Sequence, residues 1–83
     1  MFLTNPMPTL LNVNGFKFFF YANEHEPMHI HISKGDEYAK IELATLKVTR
    51  NTFKPKDLKQ ALAIAQTHRQ TFTEAWNDYF NQR

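Results

Sequence analysis

Phe16-Lys17-Phe18-Phe19-Phe20-Tyr21 carries aromatic side chains at five of its six positions. Aromatic residues lose rotamer freedom in a helix and suit a pleated, half-buried surface, so the stretch reads as a β-strand. Alternation puts Phe16, Phe18 and Phe20 on one face and Lys17, Phe19 and Tyr21 on the other. With aromatic surface on both faces, the strand is expected in the middle of a sheet.

Upstream, Asn14-Gly15 is a strong signal for a tight hairpin turn, which makes Leu10 to Val13 the lead-in and Thr9-Leu10-Leu11 a short edge strand. Pro6 and Pro8 deny the preceding residues a helix. Downstream, Ala22 to Pro27 is a polar connection. His29 to Lys34 then alternates: Met28, Ile30 and Ile32 point one way, His29, His31 and Ser33 the other. The isoleucines belong to the core, so the two histidines share the opposite face. Gly35-Asp36 closes a turn into a strand over Glu37 to Leu43. Along it Ala39, Ile41 and Leu43 oppose Tyr38, Lys40 and Glu42. Thr45 to Asn51 alternates weakly and suggests a short fourth strand.

From Pro55, whose fixed φ suits a first helical position, apolar residues recur every three or four positions: Leu58, Ala61, Leu62, Ala65, Phe72, Tyr79 and Phe80, with His68 or Arg69 and Ala75 or Trp76 between. A straight helix over 55–82 would be about 42 Å long. A domain of this size has a radius of gyration of about 12 Å. The threonines at 67, 71 and 73 are mediocre helix formers. A break near 67–71 is therefore expected, giving two helices. Phe72 and Trp76 belong to the core, and His68 to its edge. The whole chain, 1–83, reads as one α+β domain: a small antiparallel sheet of three or four strands, followed by two C-terminal helices packed on one face.

Composition narrows the classes of function. The twelve aromatics (eight Phe, three Tyr, one Trp) offset the thin core of a short chain. There is no cysteine, which removes disulfides and thiolate metal sites and agrees with a reducing cytoplasm, the expected location. No apolar run approaches the roughly 18 residues of a membrane span. A net charge of +2 does not demand a nucleic-acid partner, but seven of the ten basic residues lie between Lys34 and Lys59. Within that basic middle, Lys40, Lys47, Arg50 and Lys56 are candidate phosphate contacts for RNA or DNA. A solvated lysine face is the plainer alternative.

Three of the four histidines fall within Glu24-His25-Glu26-Pro27-Met28-His29-Ile30-His31. This cluster supports three readings. As a metal site, His29 and His31 could share an ion such as zinc. His25 would return across the Pro27 turn as a third ligand, and Glu24, Glu26 or a water would complete the shell. Without a metal, the histidines could serve as general acid and base on a phosphodiester, with Lys40, Lys47 or Arg50 holding the phosphate. Tyr21 and Tyr38 would then stack a base or donate a hydrogen bond. As structure alone, the imidazoles would be half-buried spacers bonded to Glu24, Glu26 or Tyr38.

The motif, together with Gly15 to Tyr21, Gly35, Glu37, Ala39, Ile41, Phe53 to Leu58 and His68-Arg69 to Trp76, resembles the bacterial family called domain of unknown function 4160. That family's hallmark is an acidic residue and His, one further position, two prolines, then His, an apolar residue and His. The resemblance implies a small protein often encoded beside a second small family and classed as the toxin of a toxin–antitoxin pair. An antitoxin-like partner follows from it. His25, His29 and His31 fall on the hallmark histidines and are the candidate catalytic residues, of a ribonuclease-like or metal-dependent hydrolytic activity. Met28 replaces the usual second proline, which is expected to loosen the turn that places His25. Lys54 replaces a common capping serine. Relatives commonly begin at the equivalent of Met7, so residues 1–6 read as an extension or as a start codon placed too early. The competing class is a non-enzymatic module that binds nucleic acid or protein through the basic stretch 47–59.

Overall fold

The computed structural model describes residues 9–80, so the expected extension over 1–6, and with it the choice of Met1 or Met7 as start, lies outside the described residues. Five strands come first: β1 Leu11–Val13, β2 Phe16–Phe19, β3 His29–Lys34, β4 Glu37–Glu42 and β5 Val48–Asn51. Two helices follow, α1 Pro55–Thr67 and α2 Arg69–Phe80. The strands form one antiparallel sheet in chain order. This is the expected α+β fold, with one strand more than the three or four read from the sequence.

The additional strand arises because both short flanking segments pair. Asn14 and Gly15 take φ of 53° and 83°, the positive values that a type I′ hairpin needs at both central positions. They fold Leu11–Val13 onto Phe16–Phe18, and Leu10 adds a bond from its N–H to Phe18 O at 2.8 Å. On the far side, Val48–Asn51 pairs with β4 across a register shift between Lys40 and Ile41. Leu46 does not extend that strand; it sits in the preceding turn with φ of 61°. The β3–β4 turn is the two-residue Gly35-Asp36 loop, with Gly35 at positive φ where a type II′ turn requires it. The aromatic strand β2 is interior, flanked by β1 and β3, and β3 holds the centre.

The helices cover the face bearing Phe16, Phe18, Phe20, Ile30, Ile32, Ala39, Ile41 and Leu43, all fully buried. Phe72 stacks on Phe18 with ring centroids 5.4 Å apart, and Trp76 meets Phe20 edge-on at 5.3 Å. Ala61 and Ala65 are the buried residues of α1, small enough to bring that helix close to the sheet. Full burial of each large apolar side chain contributes about 1.5–3 kcal/mol, which is what holds so small a domain together.

The helical break falls where the threonines and the length limit place it. α1 ends at Thr67, and His68 caps it, its N–H bonded to Ile64 O at 3.1 Å. Thr67 Oγ1 bonds back to Ala63 O at 3.0 Å. Arg69 then opens α2 and donates Nε to Leu43 O at 2.7 Å and a terminal amine to Ala44 O. That clamp ties the helix junction to the β4–β5 turn. At the other end of α1 the N-cap is Lys54, with no side-chain bond to the free amides. The radius of gyration is 12.2 Å. Among the described residues no helix is long and apolar enough to cross a membrane.

Candidate functional site

The sheet face turned away from the helices carries the polar residues. Strand pairing aligns Phe19 with His31, His31 with Lys40, and Lys40 with Arg50, so these four form one row across β2, β3, β4 and β5. A neighbouring row holds Lys17, Ser33 and Tyr38. His29 pairs with Glu42 on the other side. The alternation of β3 thus puts His29 and His31 on the face opposite Ile30 and Ile32, as the sequence requires.

Both histidines are nevertheless buried, each 5% exposed. Aromatic rings enclose them. Around His31 lie Tyr21 at 4.6 Å, His29 at 5.0 Å, Phe19 at 5.5 Å and Tyr38 at 5.8 Å between centroids. His29 also lies 5.0 Å from Trp76, so the site touches the core through α2.

The residue that closes this face is Glu24. Its connection, Ala22 to Met28, contains a cis Glu26–Pro27 peptide and folds back over β3. Glu24 Oε2 accepts the Tyr21 N–H at 2.9 Å and faces His31 Nε2 at 2.6 Å. Its Oε1 faces His29 Nε2 at 2.7 Å. The outer ring nitrogens are held as well: His29 Nδ1 lies 2.8 Å from Pro27 O, and His31 Nδ1 lies 2.6 Å from the Tyr38 hydroxyl.

Donor and acceptor chemistry orders the protons along this chain. A carbonyl only accepts, so His29 Nδ1 carries hydrogen toward Pro27 O. Burial alone would raise the Glu24 carboxyl, but the Tyr21 N–H, the charge of His31 and the bond and charge of His29 outweigh it and hold Glu24 below the usual carboxylate range. Ionised Glu24 accepts from every neighbour, so His31 donates from Nε2. Burial keeps His31 below the ordinary histidine range against the pull of Glu24, with the positive charges of His29 and Lys40 adding to the effect. A neutral His31 with hydrogen on Nε2 must accept at Nδ1, and Tyr38 supplies that proton. Burial, reinforced by Tyr21 and Glu24 against the opposing charge of Arg50, raises the Tyr38 hydroxyl and keeps it a donor. The chain therefore reads Tyr38 to His31 to Glu24, with His29 bridging Glu24 to Pro27.

The residues singled out in the sequence are distributed unevenly. His29 and His31 come together. His25 is exposed and stands outside the buried set, on the rim of a cleft of about 250 Å³ lined also by Glu24, Glu26, Pro27, His29, Lys40, Glu42 and Thr49. Lys40 lines that cleft, and Arg50 is its cross-strand neighbour on exposed β5. Lys47 lies in the β4–β5 connection, its N–H bonded to Thr45 Oγ1 at 3.1 Å. Lys56 is exposed on α1, in the helical layer beyond the sheet. The four cations do not make one patch. His68 caps α1 with its ring 6.1 Å from Phe72, at the core edge.

Glu24 and Tyr38 complete the site; the sequence offers Glu24 as a shell-completing ligand or a histidine partner, and Tyr38 as a base-stacking or hydrogen-bonding group or a histidine partner. The signal for Tyr38 was its shared face with Lys40. For Glu24 it was the acidic position of the hallmark. The atoms of Glu24, His29 and His31 that could bind a metal all lie within 4.8 Å of one another. Two imidazoles and a carboxylate form a donor set that suits zinc. With an ion on the Nε2 atoms each Nδ1–H would donate outward, His29 to Pro27 O and His31 to the Tyr38 hydroxyl in place of the acceptor role it has without one. The cluster can therefore hold a metal ion, through Glu24 rather than His25.

The chain matches the family model described as domain of unknown function (DUF4160) over residues 15–77, and it belongs to that family. No curated protein and no solved structure matches it.

Proposed function

We propose that this protein is the toxin component of a cytoplasmic toxin–antitoxin pair, and that the Glu24–His29–His31 cluster is its functional site, acting on RNA by acid–base chemistry. The observation that supports this reading is the burial of two imidazoles and a carboxylate on the sheet face away from the helices, beside the cations Lys40 and Arg50. Burying such groups costs several kcal/mol unless they are paired, and an apolar filling would close the same face without that cost. In this reading His31 moves the proton, Glu24 orients His31 and balances its charge, and His29 fixes Glu24. Lys40 and Arg50 hold a phosphate, with Lys47 in the β4–β5 connection extending the contact and Lys56, in the helical layer, outside it. His25, on the cleft rim, meets the substrate directly. Tyr21, 38% exposed, offers a stacking surface for an unpaired base. The partner is a small antitoxin-like protein that covers the cleft.

The test is expression with and without the neighbouring gene product, followed by assay of the purified protein for RNA cleavage. Growth arrest relieved by the partner, and cleavage lost in His31→Gln and Glu24→Gln proteins that still fold, are the expected results. Toxicity that survives those changes but disappears on charge reversal at Lys47, Arg50 and Lys56 would assign the activity to a binding module instead.

A metal-assisted version is favoured by one observation, the closeness of the three potential ligand atoms within 4.8 Å. Glu24, His29 and His31 would hold the ion, which would supply a water ionised near neutral pH. Purified protein that retains neither zinc nor nickel, with activity indifferent to chelators, would remove this version.

A further inference from the structure

The proton chain does not end inside the protein. His29 and His31 are buried, the Glu24 side chain is 8% exposed at the cleft, and the last member, Tyr38, is partly buried on the same sheet face as Arg50 and Lys40. Its hydroxyl meets His31 Nδ1 at 2.6 Å, and the far nitrogen of that ring meets Glu24 Oε2 at 2.6 Å. A hydroxyl bonded to an imidazole, with that imidazole oriented by a carboxylate, is the arrangement that activates a nucleophile. We propose that Tyr38 is the nucleophile of this site and attacks the phosphorus of a single-stranded nucleic-acid phosphodiester. The substrate class rests on the function proposed above; the activation of Tyr38 rests on the geometry alone.

The step balances without an added reactant. Tyr38 Oη gives its proton to His31 Nδ1 as the oxygen bonds to phosphorus. The bond from phosphorus to the leaving ribose oxygen breaks, and that oxygen takes a proton from a water molecule, which becomes hydroxide. A tyrosyl phosphodiester, a nucleic-acid fragment with a free hydroxyl, a hydroxide ion, and a His31 imidazolium paired with Glu24 result. The cations Arg50 and Lys40 lie where the phosphate must be held, in the row that crosses His31. Hydroxide then attacks phosphorus, the bond from phosphorus to Tyr38 Oη breaks, and Oη takes its proton back from His31, which releases the second fragment with a terminal phosphate.

Two exposed tyrosines provide an internal control, Tyr21 at 38% and Tyr79 at 43%. Labelling with an aryl phosphonofluoridate, read per peptide by mass spectrometry, compares the three hydroxyls in one folded molecule. Tyr38 is expected to react at least about tenfold faster than Tyr79 despite its lower exposure, each tenfold being about 1.4 kcal/mol of activation. Glu24→Gln, which keeps the size of the side chain but removes the charge that stabilises the imidazolium, is expected to bring Tyr38 to or below the rate of Tyr79. Tyr38→Phe is expected to abolish labelling on that peptide, with thermal melts verifying that both variants fold. Labelling in order of exposure, or a Tyr38 rate unchanged in Glu24→Gln, overturns the assignment whatever the RNA assay reports. In that assay, a covalent protein–oligonucleotide adduct on denaturing gels supports it. Cleavage that persists in Tyr38→Phe, or that leaves a 2′,3′-cyclic phosphate and no adduct, overturns it while leaving the proposed action on RNA standing.

Discussion

Glu24 accepts three hydrogen bonds, from the Tyr21 N–H and the two imidazoles, and removing it strands all three donors in a place that water barely reaches; its side chain is 8% exposed. Glu24→Ala is therefore expected to destabilise the fold by about 3 kcal/mol, measured by urea unfolding, and Glu24→Gln by less because an amide oxygen still accepts. Acid should act through the same residues. The folded His31 sits below the ordinary histidine value of about 6.5, so as pH falls through that value the unfolded chain takes up the proton first and stability drops. The folded Glu24 is also depressed; the stability it contributes is present above the usual carboxylate range and is lost as pH falls through its folded value. Both shifts act in the same direction. In chelator-treated protein, thermal melts from pH 7 to pH 4 should show the midpoint falling in two stages, the upper one absent in His31→Gln. A midpoint that rises on acidification would contradict the assigned protonation states.

At the scale of elements, the helical start is the weakest joint. Lys54 occupies the N-cap of α1 with extended backbone, φ −66° and ψ 157°, and offers no acceptor. Lys54→Ser is expected to stabilise the protein by about 0.5–2 kcal/mol, read as a shift in the denaturation midpoint without a change in slope. Phe72→Ala should act in the opposite sense, by about 3–5 kcal/mol, because its ring is buried against Phe18. Strands and helices were legible because their signals are local. Ile30 and Ile32 alternate with His29 and His31, Asn14-Gly15 demands a hairpin, and the helical stripe cannot run past residue 67 within so small a radius. The edge strands were harder to read. Val48–Asn51 has one apolar residue and owes its pairing to β4 and to the turn at Leu46, which no pattern within the segment announces.

For the molecule as a whole, the division between scaffold and site follows the two faces of one sheet. The face under the helices is apolar and was readable residue by residue. The other face depends on a connection that carries no periodicity. Whether His25, Glu24 or Glu26 turns inward is decided by how residues 22–28 fold over β3, and alternation has no authority there. The histidine pair was thus legible, and the choice of Glu24 over Glu26 and His25 to join it was not. The claim that binds these observations is the direction of the proton chain from Tyr38 through His31 to Glu24. It is tested most directly by long-range ¹H–¹⁵N correlation spectra of the imidazoles at pH 7. The account predicts that His31 is a neutral ring with hydrogen on Nε2 and a bare Nδ1 accepting from Tyr38. A His31 protonated at Nδ1 alone, or at both nitrogens, would contradict it.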